Sequence, residues 1–153
     1  MPSFLQVEVA ANTGLCDARR IETVRKEIRS EVNIARGERA RRVEKPWGYE
    51  LIFAHTDKYA GKILSIRKGC RFSLQYHEYK DESIYIHRGE VLVQLEAIDG
   101  QRVSTVLRNG ECLRIEPFTQ HRIQAVRDAI LFEVSTPELE DVRRVEDDYG
   151  RAR

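Results

Sequence analysis

Residues 71–89 read RFSLQYHEYKDESIYIHRG, and their alternation decides what kind of protein this is. In 71–77, Phe72, Leu74 and Tyr76 fall on one side of an extended chain, and Ser73, Gln75 and His77 on the other. After a charged break, Glu82, Ile84 and Ile86 share one side, so Glu82 stands at the mouth of an apolar face. Gly89 closes the run. Two strands joined by a short polar loop are the expected local structure, with Gln75 and His77 projecting side by side.

The same reading extends in both directions from this stretch. Short runs rich in Val, Ile, Leu, Phe and Tyr are expected as strands at 49–54, 62–67, 71–77, 83–87, 91–97, 103–107, 111–115, 121–126 and 129–135. Turns fall at Lys68-Gly69, Arg88-Gly89, Asp99-Gly100, Asn109-Gly110 and around Pro117. Such spacing, with Gly at the breaks, predicts an antiparallel sandwich or barrel. No helix of consequence is read after Pro46 before the charged tail at 138–148. Upstream, residues 17–45 carry ten basic and six acidic residues and no aromatic one. Ile21, Val24, Ile28 and Val32 line one face of a helix there, with Asp17 as N-cap and Gly37 as stop. The division expected is an arm at 1–44 and a barrel with a charged tail at 45–153.

Composition narrows the function. Lys and Arg number 26 against 25 for Asp and Glu, so no global charge points to nucleic acid. The signs alternate along the Arg-rich arm, which fits a solvated helix face better than a phosphate contact. At 153 residues the chain suits one domain with a real core. No apolar run approaches the ~20 residues of a membrane span, and the opening stretch lacks the basic-then-apolar pattern of a signal peptide. Cys16, Cys70 and Cys112 form no CxxC pair. Reduced thiols and a cytoplasmic location are expected.

His121 shares its side with Ile123 and Ala125, again a polar group ending an apolar row. Gln75, His77, Glu82 and His121 therefore end three inward rows, and burying them unpaired would cost several kcal/mol. A divalent cation would satisfy all four; Zn, Fe, Mn, Co and Ni suit these donors. The bland alternative is a satisfied core histidine and a surface amide. Lys62 lies on the side of Leu64 and Ile66, where its ammonium could reach the barrel mouth or snorkel to solvent. Glu133 lies with Ala129 and Leu131, as a proton carrier or a paired structural carboxylate. Lys80 could hold an anion or pair with Asp81. Strict alternation turns Arg122 outward, although the twist of a strand start could reorient it. His55 and His87 are assigned to the surface, and Trp47 and Tyr49 to packing between arm and barrel. The outward row of Phe72, Leu74 and Tyr76 needs cover, from the arm or a second copy, so a homodimer is expected.

These residues also carry a resemblance. Gly69, His77, Glu82 and Gly89 are similar to the first cupin motif, with Gln75 where a first His is commonest. Gly110, Pro117 and His121 resemble the second, without the Gly usual shortly after the Pro. KPWGYE at 45–50, GKILSIRKG at 61–69, FSLQYH at 72–77, QHRI at 120–123 and the tail at 134–151 resemble the phosphomannose isomerase domain of type II mannose-6-phosphate isomerase/mannose-1-phosphate guanylyltransferases. The resemblance implies a cupin double-stranded β-helix, or jelly-roll, barrel following the helical arm. It implies one divalent metal, zinc first, at Gln75, His77, Glu82 and His121. It further implies sugar-phosphate isomerisation, with Lys62 and Arg122 at family positions toward the substrate. For that reaction Glu133, with Lys62, is the expected catalytic group and Lys80 a further substrate contact, both read from the residues themselves. The family's further His and Arg residues after the ligand His are replaced by Glu78, Tyr79, Lys80 and Asp81, which bears on the substrate pocket. No Gly-rich nucleotide loop is present, so nucleotidyl transfer is not expected. A cupin oxygenase using Fe(II) and a non-catalytic sugar-binding module are the competing readings.

Overall fold

Eleven strands and no helix make up the described part of the chain, residues 39–96 and 100–151 of a computed structural model. The chain divides into units 1–38 and 39–153, and only the second contains described residues. The amphipathic helix expected at 17–37 lies outside them, as does Cys16. In chain order the strands are β1 (Arg41–Lys45), β2 (Gly48–His55), β3 (Ala60–Ile66), β4 (Leu74–Tyr76), β5 (Glu82–Arg88) and β6 (Glu90–Glu96). There follow β7 (Arg102–Arg108), β8 (Cys112–Ile115), β9 (His121–Ala125), β10 (Ala129–Ser135) and β11 (Arg143–Glu146). Every pairing is antiparallel. One sheet runs β1-β2-β3-β10-β5-β8 and the other β11-β4-β9-β6-β7.

The sheets form because inward positions repeat every second residue. Leu64 and Ile66 on β3, Ile84 and Ile86 on β5 and Leu131 on β10 meet Val91 and Val93 on β6 and Ile123 and Ala125 on β9 in one buried core. Burial of each large aliphatic side chain contributes about 1.5–3 kcal/mol. Trp47 closes one side of the core against Phe72, ring centroids 4.5 Å apart. The tight β5–β6 turn needs Gly89. Its φ is 96°, and a Cβ there would lie 2.3 Å from the Asp128 carbonyl oxygen.

Three local expectations need correction. First, Phe72 does not face outward. Arg71 makes only an isolated bridge to Gln124, so regular alternation starts at Leu74, and both Phe72 and Ser73 are buried. Leu74 is buried too, and Tyr76 stacks on Phe118 at 6.5 Å. The row is covered within the described residues and gives no argument for a second copy. Second, the charged tail is not helical. Residues 143–146 pair with the edge of β4, and Arg71–Asp148 and Arg143–Glu78 ion pairs fasten the segment. Third, β1 lies upstream of Pro46, where the sequence RRVEK gives no strand pattern; it is an edge strand paired to β2 alone. Cys70 and Cys112 are free thiols, and no described helix is long and apolar enough to cross a membrane.

Candidate metal centre

The residue that follows β4 and the first residues of β5 and β9 bring three donors together. Potential ligand atoms of His77, Glu82 and His121 all lie within 4.8 Å of one another, and each residue is 3% exposed or less. Glu82 Oε1 stands 3.3 Å from His121 Nε2 and 3.7 Å from His77 Nε2. Ligand bonds of 2.0–2.2 Å in tetrahedral array would set donors about 3.4 Å apart, so the spacing suits one cation.

Protonation points the same way. His77 Nδ1 bonds to the Asp141 carbonyl oxygen, and His121 Nδ1 to that of Thr119 at 2.9 Å. A carbonyl oxygen can only accept, so both Nδ1 atoms carry the proton and both Nε2 lone pairs point at Glu82. Three electron-pair donors thus converge in the interior, and His77 Nε2 has no hydrogen-bond partner. An orphaned buried nitrogen is costly, and a divalent ion resolves it. Burial alone would push the Glu82 carboxyl up. The facing His121 and His77 imidazoles, and after them the Lys80 ammonium, outweigh that and hold it well below the usual range.

The remaining predicted residues fall as follows. Gln75 lines the same cavity, paired in register with His121 across β4 and β9, and its Oε1 accepts the Ser73 hydroxyl at 2.7 Å. Its second lone pair leaves that oxygen able to bind a cation. Lys62 and Glu133 are register partners on β3 and β10, buried, 3.3 Å apart and both lining the cavity. Lys80 does not pair with Asp81, whose carboxylate is taken by Arg114 at 2.6 Å. It is 3% exposed, bonds Glu133 Oε1 at 3.0 Å and also holds Glu82 Oε2. Burial would lower the Lys80 ammonium's pKa; Glu133 and Glu82 outweigh this and raise it. Lys62, Glu133, Lys80 and Glu82 therefore form one buried chain of alternating charge. Arg122 is buried elsewhere: it pairs with Glu146 of β11 at 3.3 Å and does not line the cavity. His55 and His87 are exposed, the latter stacked on Phe132 at 4.8 Å.

Two supporting residues escaped the sequence reading. Phe118, directly after Pro117, takes φ 64°, a conformation that Gly adopts freely and that costs other residues about 1–2 kcal/mol. Its N–H bonds to the His77 carbonyl at 2.7 Å, tying the β8–β9 loop to a donor residue. Asp141 is the other. Its carboxylate accepts from the backbone N–H groups of Glu78 (3.2 Å), Tyr79 (2.7 Å) and Lys80 (3.0 Å). Burial would raise that carboxyl, but the three donors outweigh it and lower it. A depressed folded-state pKa stabilises above the ordinary value of 3.8, and the gain is lost as pH falls through the folded value. Asp141→Asn should therefore be less stable than the native chain by about 1–2 kcal/mol at pH 7. The gap should close on acidification below about pH 4, read as converging urea midpoints. A constant gap down to pH 2 would contradict it.

No protein-family model matches the chain, and no curated protein does. Solved structures do match. A mutant of Bacillus subtilis oxalate decarboxylase superposes with a TM-score of 0.62 at 15% identity, over 69% of this chain and 30% of that one. KdgF from Halomonas sp. gives 0.56 at 22% identity, over 66% and 89%. The capsular polysaccharide assembling protein CapF from Staphylococcus aureus gives 0.60 at 14%, over 72% and 33%. The fold is that of the cupins. At these identities the likeness is one of fold, and the chain spans about a third of the decarboxylase and CapF chains. Within this cupin fold the His77–Glu82–His121 group could hold a metal ion, and all three residues line one cavity of about 190 Å³.

Proposed function

We propose that this chain is a metal-dependent isomerase interconverting an aldose and a ketose sugar phosphate of the mannose 6-phosphate type. One observation carries the reading: the three-donor cluster and the buried Glu133 carboxylate open on the same polar cavity. His77, Glu82 and His121 would hold the ion, with Gln75 beside them. A divalent ion held there would supply Lewis acidity toward a substrate carbonyl. Glu133 moves the proton between adjacent carbons. Both ammoniums share its Oε1, which leaves Oε2 for the transfer. The phosphate contact passes from Arg122 to basic groups that line the cavity, Arg41, Lys45 and Arg144.

The direct test is conversion of mannose 6-phosphate to fructose 6-phosphate with Zn, Mn, Co or Fe supplied. Turnover that disappears with a chelator is expected. No turnover with any of the four removes the isomerase. Two ammoniums on Glu133 also suit a non-catalytic module, which would bind sugar phosphate without converting it. Oxygen uptake after Fe(II) loading would instead favour an oxygenase, since two His and one Glu suit that centre too.

A further inference from the structure

The two oxygens of Glu82 face different partners. Oε1 turns toward both imidazole Nε2 atoms, at 3.3 Å and 3.7 Å, while Oε2 carries the Lys80 ammonium. Lys80 has little freedom to leave. It is 3% exposed, its Nζ also bonds Glu133 Oε1 at 3.0 Å, and its backbone N–H is held by Asp141 at 3.0 Å. A carboxylate with both oxygens free can close on a cation in bidentate fashion. One whose second oxygen is taken by a buried ammonium offers a single oxygen.

We propose that Lys80 is a positioning residue that confines Glu82 to one metal-binding oxygen, keeping a coordination position open for substrate. This role rests on reading His77, Glu82 and His121 as a metal centre. It has a consequence opposite to that of a residue which only supports the fold. The Lys80 charge repels the ion and occupies an oxygen that would otherwise bind it. Its removal should tighten metal binding, whereas damage to the fold would weaken it. Lys62 remains 3.3 Å from Glu133, so that carboxylate keeps a partner when Lys80 is replaced.

The test uses the full chain, stripped of metal and titrated with Co(II) against a competing chelator dye, with the visible spectrum recorded. Lys80→Met should bind Co(II) roughly tenfold tighter or more, because a like charge and a blocked ligand atom have both gone. Its d–d absorption should weaken as the number of ligands rises. Lys80→Gln keeps an N–H for Oε2 without the charge. It should retain the native spectrum and tighten binding by a smaller factor, and it carries the test if the Met variant does not fold. Native affinity and spectrum in both variants, or weaker binding in a Lys80→Gln chain that melts like the native one, overturns the role. A native chain that takes up no Co(II) removes the centre itself, and this role with it.

Discussion

Replacing His121 by Ala should lower the affinity for a divalent ion by at least about a hundredfold, more than loss of an outer partner would cost. The reason is the count of donors. Only three imidazole or carboxylate atoms converge here among the described residues, and His121 Nε2 is the one nearest Glu82 Oε1. Without it, His77 and Glu82 remain a pair 3.7 Å apart, too few to displace water from an ion. The measurement is a metal titration of folded protein, with far-ultraviolet circular dichroism to show that the sheets persist. His55→Ala and His87→Ala are the controls. Both residues are exposed, one bonded to the Pro137 carbonyl and one stacked on Phe132, and neither change should alter affinity. A His121→Ala chain with native affinity would abolish the centre.

The second large effect concerns Glu133. Its Oε1 holds Lys80 at 3.0 Å and Lys62 at 3.3 Å, and all three side chains are buried. Glu133→Leu leaves the Lys62 ammonium in the interior without its carboxylate. Lys80 keeps Glu82. Removing one partner of a buried ion pair costs about 3–5 kcal/mol. In a domain of this size each kcal/mol shifts melting by about 2–4 °C, so a drop on the order of 10 °C is expected. Turnover of the sugar phosphate should fall by about 10²–10⁴ even at temperatures where the variant is folded, since the proton carrier is gone. Glu133→Gln, which keeps an acceptor for one ammonium, should lose less stability and equally much turnover. Melting unchanged in Glu133→Leu would show that the lysines find other partners.

How much of this could be read from residues alone follows from where regular strands begin and end. On β3, β5, β9 and β10 the period of two assigns Lys62, Glu82, His121 and Glu133 to the ends of apolar rows, and they occupy those sides. Pleating is a local rule, so it was legible. Phe72 was misplaced because residues 71–73 are joined to β9 through an isolated bridge and a single N–H to the Ile123 carbonyl, outside a regular ladder. The outward direction of Arg122 was legible, but its burial was not. It depends on β11 lying near, and a sequence of RRVE announces no strand. Lys80 sits in a loop, where no period applies. Asp141 lies 64 residues from His77, and nothing in its neighbours marks that meeting. Contacts of that span arise from topology, which spacing does not encode.

Both imidazoles donate their Nδ1–H hydrogen bond to main-chain oxygens, those of Asp141 and Thr119, rather than to side chains. Every amino acid carries that oxygen. No single codon change at either place can delete the acceptor, so the tautomer that aims Nε2 inward is insulated from ordinary mutation. Directed evolution at 119 and 141 can loosen the loops around the two rings, yet the orientation of the rings yields only to a change in the course of the chain itself.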